Sequence, residues 1–155
     1  MSLFPESSEQ PGGRAVLLSI KPKYADLILA GSKRVELRRS WPSNDIGVMV
    51  LYSSAPVQRL VGVAFVDRVE ETDVAGLWKL ASDFGGGVTH EELDEYFAGK
   101  KTAFGVMIKR ARVAQVAVDP KELFPGFTPP QSFQYLVPEE YHRVMRAIFP
   151  EGSAT

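Results

Sequence analysis

The sequence contains no cysteine, only two histidines and no long apolar segment. Without cysteine it has no disulfide bond and no thiolate to act as ligand or nucleophile, which fits a reducing cytoplasm. No apolar run approaches the roughly 20 residues that a membrane-spanning helix needs. The histidines belong to no metal-binding spacing such as H-E-x-x-H. We therefore expect a cytoplasmic protein that has no membrane segment and uses no metal or other cofactor.

The apolar content is sufficient for one core, since 45% of the 155 residues are hydrophobic. Residues 1–13 are rich in Pro, Gly, Ser and Glu and predict a flexible tail, and residues 14–150 predict a single domain. Charge is unevenly spread: residues 14–39 hold seven Lys or Arg against two acids, net +5, and residues 67–95 hold nine acids against two bases, net −7. A face built from the basic segments would attract phosphate.

Hydrophobic periodicity predicts short strands and a few helices. Runs of strand length and pattern occur at residues 15–20, 34–38, 48–52, 60–69, 102–109 and 111–118. We expect the last two to form a β-meander, and Gly62 to mark a bulge or a close backbone approach. Helices are predicted to begin at Pro22, at Thr72 or Asp73, at Thr89, which forms a capping box with Glu92, and at Pro138. The simplest architecture consistent with these elements is an α+β fold with a small mixed barrel or a curled sheet.

Polar side chains are concentrated in residues 28–39, between a predicted helix and a predicted strand. Alternate strand residues share a face, so Glu36 and Arg38 would point the same way, and Lys33, which leaves the turn at Gly31, can reach them. Two interpretations stay open on residue chemistry alone. One is a solvated edge strand with surface ion pairs that contribute little, and the other is a functional site.

Several chemistries are poorly supported by the sequence. Ser53 and Ser54 lack the G-x-S-x-G context of a serine nucleophile, and the carboxylates of residues 91–95 are typical of a solvated helix face. Lysine chemistry remains, because burial or a nearby cation such as Arg38 would lower the pKa of Lys33, while Glu36 would raise it. The same residues would also suit binding, with Lys33 or Arg38 on phosphate and Glu36 accepting from a base amino group.

The pattern S-I-K-P-K-Y-A-x-x-I-L-x-G-x-K-x-x-E-x-R, over residues 19–38, resembles the signature of ASCH domains of the PUA-like superfamily. The segments V-L-Y-S-S-A-P at residues 50–56 and P-P-Q-S-F at residues 129–133 are similar to a branch described as PUA-like transcriptional regulators. The resemblance implies a PUA-like mixed β-barrel with surrounding helices. It also implies RNA or a modified nucleoside as ligand, bound in a cleft around the G-x-K-x-x-E-x-R motif.

Within that implied cleft, ligand-binding roles fall to Lys33, Glu36, Arg38, Tyr52, Ser54 and Gln131. Arg34 and Arg39 would supply only electrostatic surroundings. The leading hypothesis is an RNA- or modified-nucleoside-binding domain.

An alternative is a hydrolase that acts on RNA or a modified nucleoside. The chain is similar at Lys33 to amidohydrolases that deacetylate N4-acetylcytidine, although these have threonine at the position of Glu36. Some ASCH proteins are also ribonucleases. Lys33 would then be catalytic, with Glu36 or Asp83 carrying the proton. Asp83 is implied by the resemblance, because it is the only acid in residues 83–87, where the catalytic carboxylate of those amidohydrolases falls. A protein-interaction module that uses its acidic helices is the third hypothesis.

Overall fold

The structure is a computed structural model that describes residues 13–42 and 45–151. The predicted flexible tail, residues 1–13, lies outside the described residues except for Gly13. These described residues form six strands: β1 (Arg14–Ile20), β2 (Val35–Arg38), β3 (Ile46–Ser53), β4 (Arg59–Thr72), β5 (Ala103–Val118) and β6 (Phe133–Leu136). The α-helices are α1 (Pro22–Leu29), α2 (Val74–Phe84), α3 (His90–Tyr96) and α4 (Pro138–Ile148).

The strands form one mixed sheet in the order β2-β5-β4-β3-β1-β6, which confirms the α+β class. Strands β1 and β3 are parallel, with Ser19 opposite Tyr52, and the other neighbours are antiparallel. The closed PUA-like barrel implied by the resemblance is not what the structure shows. Among the described residues, β2 and β6 are the two edges, and no ladder joins them. The four-residue β2 pairs only with β5, so the sheet stays open.

Strand β5 is one continuous strand of 16 residues, so the predicted β-meander over this segment is wrong. It pairs with β4 from Ala103 to Val118, with register shifts near Phe65 and Val66 that bend the two strands together. The polar residues that suggested a break lie within the strand instead. The guanidinium of Arg110 lies 4.0 Å from the centre of the Phe65 ring, which gives a charged side chain an apolar surface to cover.

Gly62 marks both a bulge and a close backbone approach, the two properties that the sequence suggested. The β3–β4 register shifts where Leu51 faces Gly62 and Tyr52 faces Leu60, which leaves one extra residue on β4. A Cβ at Gly62 would lie 2.4 Å from the carbonyl oxygen of Arg112, so β5 approaches too closely for any side chain there.

The helices cover different parts of the sheet and so create three apolar clusters. Helix α4 packs on one face over Val50 and Val63, and α1 packs on the other over Met49 and Ala64. Helices α2 and α3 bury Leu77 and Leu93 against β2 and β5. The predicted helix starts are confirmed, with Asp73 capping α2 and the Thr89–Glu92 capping box starting α3. Within the described residues, no helix is long and apolar enough to span a bilayer.

Candidate ligand-binding cleft

A cavity of about 650 Å³ lies at the carboxyl ends of β1 and β3, beside the edge strand β2. This volume falls in the range of small-molecule sites, roughly 300–1,000 Å³. All six residues that the sequence predicted as ligand-binding line it: Lys33, Glu36, Arg38, Tyr52, Ser54 and Gln131. The side chain of Arg38 reaches from β2 to Ser19 near the end of β1, and residues 129–131 before β6 line the remaining side of the cavity.

The structure does not bring Asp83 to this cavity. Asp83 lies on the exposed side of α2, where its carboxylate is 3.2 Å from the ammonium of Lys79, and it is not among the residues that line the cavity. A proton-carrying role beside Lys33 therefore has no support from its position. Within residues 13–42 and 45–151, no three His, Asp or Glu side chains are grouped as a metal site would require.

Lys33 is almost completely buried, with 3% of its surface exposed. It follows the turn at Gly31, whose φ of 84° suits glycine, and it contributes to the lining of the cavity. The ammonium donates a hydrogen bond to the carbonyl oxygen of Gly86 and lies 3.6 Å from Oε1 of Glu36. It also lies 5.2 Å from the centre of the Tyr24 ring, within range of a cation–π interaction.

Glu36 joins Lys33 to Arg38, and these three residues form what we call the charged cluster. Oε2 of Glu36 accepts a hydrogen bond from Nε of Arg38 at 2.8 Å, and Glu36 is only 6% exposed. Arg38 also donates to Oγ of Ser132 at 3.2 Å and to the carbonyl oxygen of Ser19 at 3.1 Å. Arg38 therefore ties β2 to β1 and to the segment before β6 through its side chain.

Burial lowers the pKa of Lys33 below its ordinary value, because an ammonium loses hydration inside the protein. The Glu36 carboxylate opposes this effect, and the nearby Arg38 guanidinium adds to it. The net result is a lowered pKa. A larger share of Lys33 is thus neutral at a given pH than for a lysine in water, and the neutral amine is the form that can accept a proton.

This lowered pKa predicts a pH-dependent stability. Between the folded pKa and the ordinary value of 10.5, the unfolded chain binds more protons than the folded one, so stability rises with pH across that window. We expect the free energy of unfolding of the wild type, relative to Lys33→Met, to increase from pH 7 to pH 9.5. The gain is up to about 1.4 kcal/mol for each unit by which the pKa is lowered. Urea unfolding at both pH values measures it, and a difference that stays flat or falls would contradict the direction.

Helix α3 lines the cavity, which was not expected from its acidic sequence. Glu92, Leu93, Tyr96 and Phe97 contribute to the lining, and Tyr96 is 49% exposed at the rim. Arg39, predicted only as electrostatic surroundings, donates a hydrogen bond to the Tyr96 carbonyl and so connects the end of β2 to α3. Tyr96 and Phe97, two aromatic residues that follow the acidic run at residues 91–95, were the sequence signal that this helix also lines a site.

The glycine triplet at residues 85–87, between α2 and α3, supplies the backbone carbonyl that binds the Lys33 ammonium. Gly85 ends α2 with φ 67°, and its position brings the Gly86 carbonyl to the Lys33 ammonium. The contact joins residues 53 positions apart, so no local pattern predicts it. Three consecutive glycines do signal that the backbone needs unusual freedom or a close approach at this point.

Comparisons with known proteins place these residues in a family context. The ASCH domain family matches residues 18–110, which is 93 of the 155 residues and includes the charged cluster. An ASCH domain-containing ribonuclease of Zymomonas mobilis is 27% identical over 140 residues, which cover 87% of this chain and 93% of that protein.

Two further comparisons concern a solved structure and a ribosomal protein. The crystal structure of ASCH from Zymomonas mobilis superposes with a TM-score of 0.78 at 25% identity, and covers 85% of this chain and 94% of that one. The large ribosomal subunit protein uL22 of Ureaplasma parvum is 25% identical over 131 residues. Those residues are 83% of this chain but only 41% of the ribosomal protein.

Proposed function

Because the chain belongs to the ASCH domain family, we propose that it binds RNA and that its cavity receives one nucleoside unit, modified or unmodified. The observation that carries this proposal is the cavity of about 650 Å³ with the buried charged cluster in its lining. A cavity of this size can enclose a base and its ribose. The Zymomonas relative, named as a ribonuclease, supports RNA as the ligand class.

The cavity lining offers chemistry for each part of a nucleotide. Its charged residues are Lys21, Lys33 and Arg38 against Glu36 and Glu92, so the lining carries a net charge of +1 when Lys33 is protonated. Basic side chains suit phosphate oxygens.

The apolar part of the lining suits the base. The rings of Tyr24 and Tyr96 both border the cavity, with Pro129 and Pro130 nearby. Unpaired bases in RNA complexes commonly stack on such aromatic side chains, at about 1–3 kcal/mol per base. Tyr96 is the more accessible platform, because it is half exposed at the rim, whereas Tyr24 is already covered by Lys33.

We expect Lys33→Met to weaken binding of a short single-stranded RNA about tenfold or more, because the variant removes a buried positive charge and keeps the length of the side chain. Fluorescence polarisation of a labelled oligonucleotide measures the loss at two salt concentrations. Lys79→Met is the matched control, since Lys79 is an exposed lysine on α2 that pairs with Asp83 outside the cavity.

Thermal unfolding must show that Lys33→Met is folded. Tyr96→Ala is a second variant, and it tests the cavity even if Lys33→Met does not fold. Tyr96 is exposed at the rim, so its truncation should weaken binding several-fold without unfolding the protein. If both cavity variants bind RNA as tightly as the wild type and the Lys79→Met control, the cavity is not the RNA site.

A second candidate function is RNA cleavage at the same site, favoured by the lowered pKa of Lys33 and by the ribonuclease name of the relative. The neutral Lys33 amine would take the proton of a ribose 2′-hydroxyl, and that oxygen would attack the adjacent phosphorus. The 5′-oxygen of the next nucleotide would leave with a proton from water, which produces a 2′,3′-cyclic phosphate and a 5′-hydroxyl. The N–H groups of Arg38 not used in its three hydrogen bonds would stabilise the charged transition state.

RNA binding and RNA cleavage are distinguished by analysing the RNA after incubation with the wild type and with Lys33→Met. Cyclic-phosphate ends that form with the wild type and disappear with Lys33→Met support the nuclease. Salt-sensitive binding without new ends supports a binding domain. A parallel incubation with N4-acetylcytidine tests amide hydrolysis, for which release of acetate would be the readout.

A further inference from the structure

Two carboxylates line the cavity, and only one of them is available to a ligand. Both oxygens of Glu36 are engaged, Oε1 by the Lys33 ammonium and Oε2 by Nε of Arg38. The expectation that Glu36 accepts from a base amino group is therefore poorly supported by its contacts. Among the described residues, Glu92 uses one oxygen, Oε1, to accept from the backbone N–H of Thr89, and its Oε2 has no partner.

Glu92 is held in a fixed position and stays ionised. Its backbone N–H donates to Oγ1 of Thr89 while its side chain accepts from the Thr89 backbone, which closes a reciprocal capping box. The hydrogen bond from the Thr89 backbone lowers the pKa of Glu92, desolvation partly opposes it, and the charges of Lys23 on α1 and of Lys21 just before α1 add smaller lowering contributions. A carboxylate at the rim is thus presented to the cavity in one orientation at neutral pH.

The lining residues Lys21 and Glu92 come from different segments of the chain. Lys21 stands at the start of α1, and Glu92 stands on α3. Tyr96 and Glu92 are four residues apart on α3, about one helical turn, so both side chains lie on the same side of the helix. A base stacked on the Tyr96 ring would lie within reach of the free Oε2 of Glu92.

We propose that Glu92 determines base specificity by accepting a hydrogen bond from an exocyclic amino group, so that the cavity prefers cytosine to uracil. Cytosine carries an amino group at C4, which donates to a carboxylate, and uracil carries a carbonyl oxygen at the same position, which repels one. The two bases are nearly identical in shape, so packing does not separate them. This inference rests on the proposed nucleotide-binding function of the cavity.

The expected size of the preference for cytosine follows from the kind of hydrogen bond that Glu92 would accept. A charge-assisted hydrogen bond contributes more than a neutral one, and the repulsion of the uracil carbonyl adds to the difference. Glu92 is exposed, so water weakens both effects. We expect cytidine 5′-monophosphate to bind the wild type about tenfold more tightly than uridine 5′-monophosphate.

Titration calorimetry with the two monophosphates tests the inference, with Glu92→Gln as the variant. Glutamine keeps an oxygen that accepts from the Thr89 backbone, so the capping box and α3 are retained. Its amide can donate to the uracil carbonyl, and the cytidine preference should fall to threefold or less. Glu91→Gln is the matched control, because it removes the same charge from the same helix at a residue outside the cavity lining, and it should keep the wild-type preference.

The outcomes distinguish this inference from the function on which it rests. Equal affinities of the wild type for the two monophosphates, or a preference that survives in Glu92→Gln, would overturn the specificity role and leave nucleotide binding intact. Failure of both monophosphates and of short RNAs to bind would overturn the proposed function, and the role of Glu92 with it.

Discussion

Replacing Glu36 with Gln should lower the free energy of unfolding by about 3 kcal/mol, because it removes the negative charge between two buried cations. The side chain of Glu36 is 8% exposed, that of Lys33 is 3% exposed and that of Arg38 is 11% exposed. An amide can accept from Arg38 but presents N–H groups to the Lys33 ammonium. The cations would keep the cost of their burial and lose the compensating charge. Urea unfolding at pH 7 measures the loss.

Glu70→Gln is a matched control for this prediction. Glu70 also accepts a hydrogen bond from an arginine two residues away on one strand, with Nε of Arg68 at 2.9 Å, but the two side chains are 52% and 39% exposed. Exposed pairs of this kind contribute about 0–1 kcal/mol. Similar losses for Glu36→Gln and Glu70→Gln would show that the charged cluster behaves as a surface ion pair.

Replacing Gly85 with Ala should cost about 3 kcal/mol or more and weaken RNA binding as well. The left-handed φ of 67° costs about 1 kcal/mol for alanine, and the added Cβ would lie 2.0 Å from the carbonyl oxygen of Ser32. Backbone cannot turn away as a side chain can, so α2 or the turn before Lys33 must shift. Either shift moves the Gly86 carbonyl from the Lys33 ammonium. Thermal and urea unfolding measure the first effect, and RNA titration measures the second.

Gly99→Ala separates the conformational cost from the steric one. Gly99 has φ 83°, and no described residue other than its two chain neighbours comes within 4 Å of the position that its Cβ would occupy, so alanine there should cost only about 1 kcal/mol. The loss of unfolding free energy in Gly85→Ala beyond that in Gly99→Ala measures the clash of the added Cβ with Ser32. No excess would mean that α2 is not packed against the turn before Lys33.

The parts of this fold that follow from local chemistry could be predicted from the sequence. Prolines at the first turn place the starts of α1 and α4, and the Thr89–Glu92 capping box places α3, because each signal acts within one turn of helix. The side-chain alternation that puts Glu36 and Arg38 on one face is equally local. The structure brings both to the same cavity as Lys33.

The features that sequence reasoning missed depend on contacts between distant segments. Arg110 interrupts the apolar pattern of β5, but the strand continues there because Arg110 pairs with Phe65 of β4, and its guanidinium covers the Phe65 ring. The Gly86 carbonyl reaches Lys33 across 53 residues. Closure of the sheet is another such property, since it depends on whether β2 meets β6, which no property of either strand reveals. Asp83 was suggested by resemblance rather than by chemistry, and its side chain pairs with Lys79 instead.

That the cavity receives a nucleoside unit of RNA is tested most directly by mapping where RNA touches the protein. Irradiation of the wild type at 254 nm with a short single-stranded RNA, followed by protease digestion and mass spectrometry, locates the cross-linked residues. Cross-links at Tyr24 or Tyr96, reduced by competing cytidine 5′-monophosphate, are the predicted result. Cross-links confined to other surfaces, such as the basic segment of β5 at residues 109–112, would contradict it.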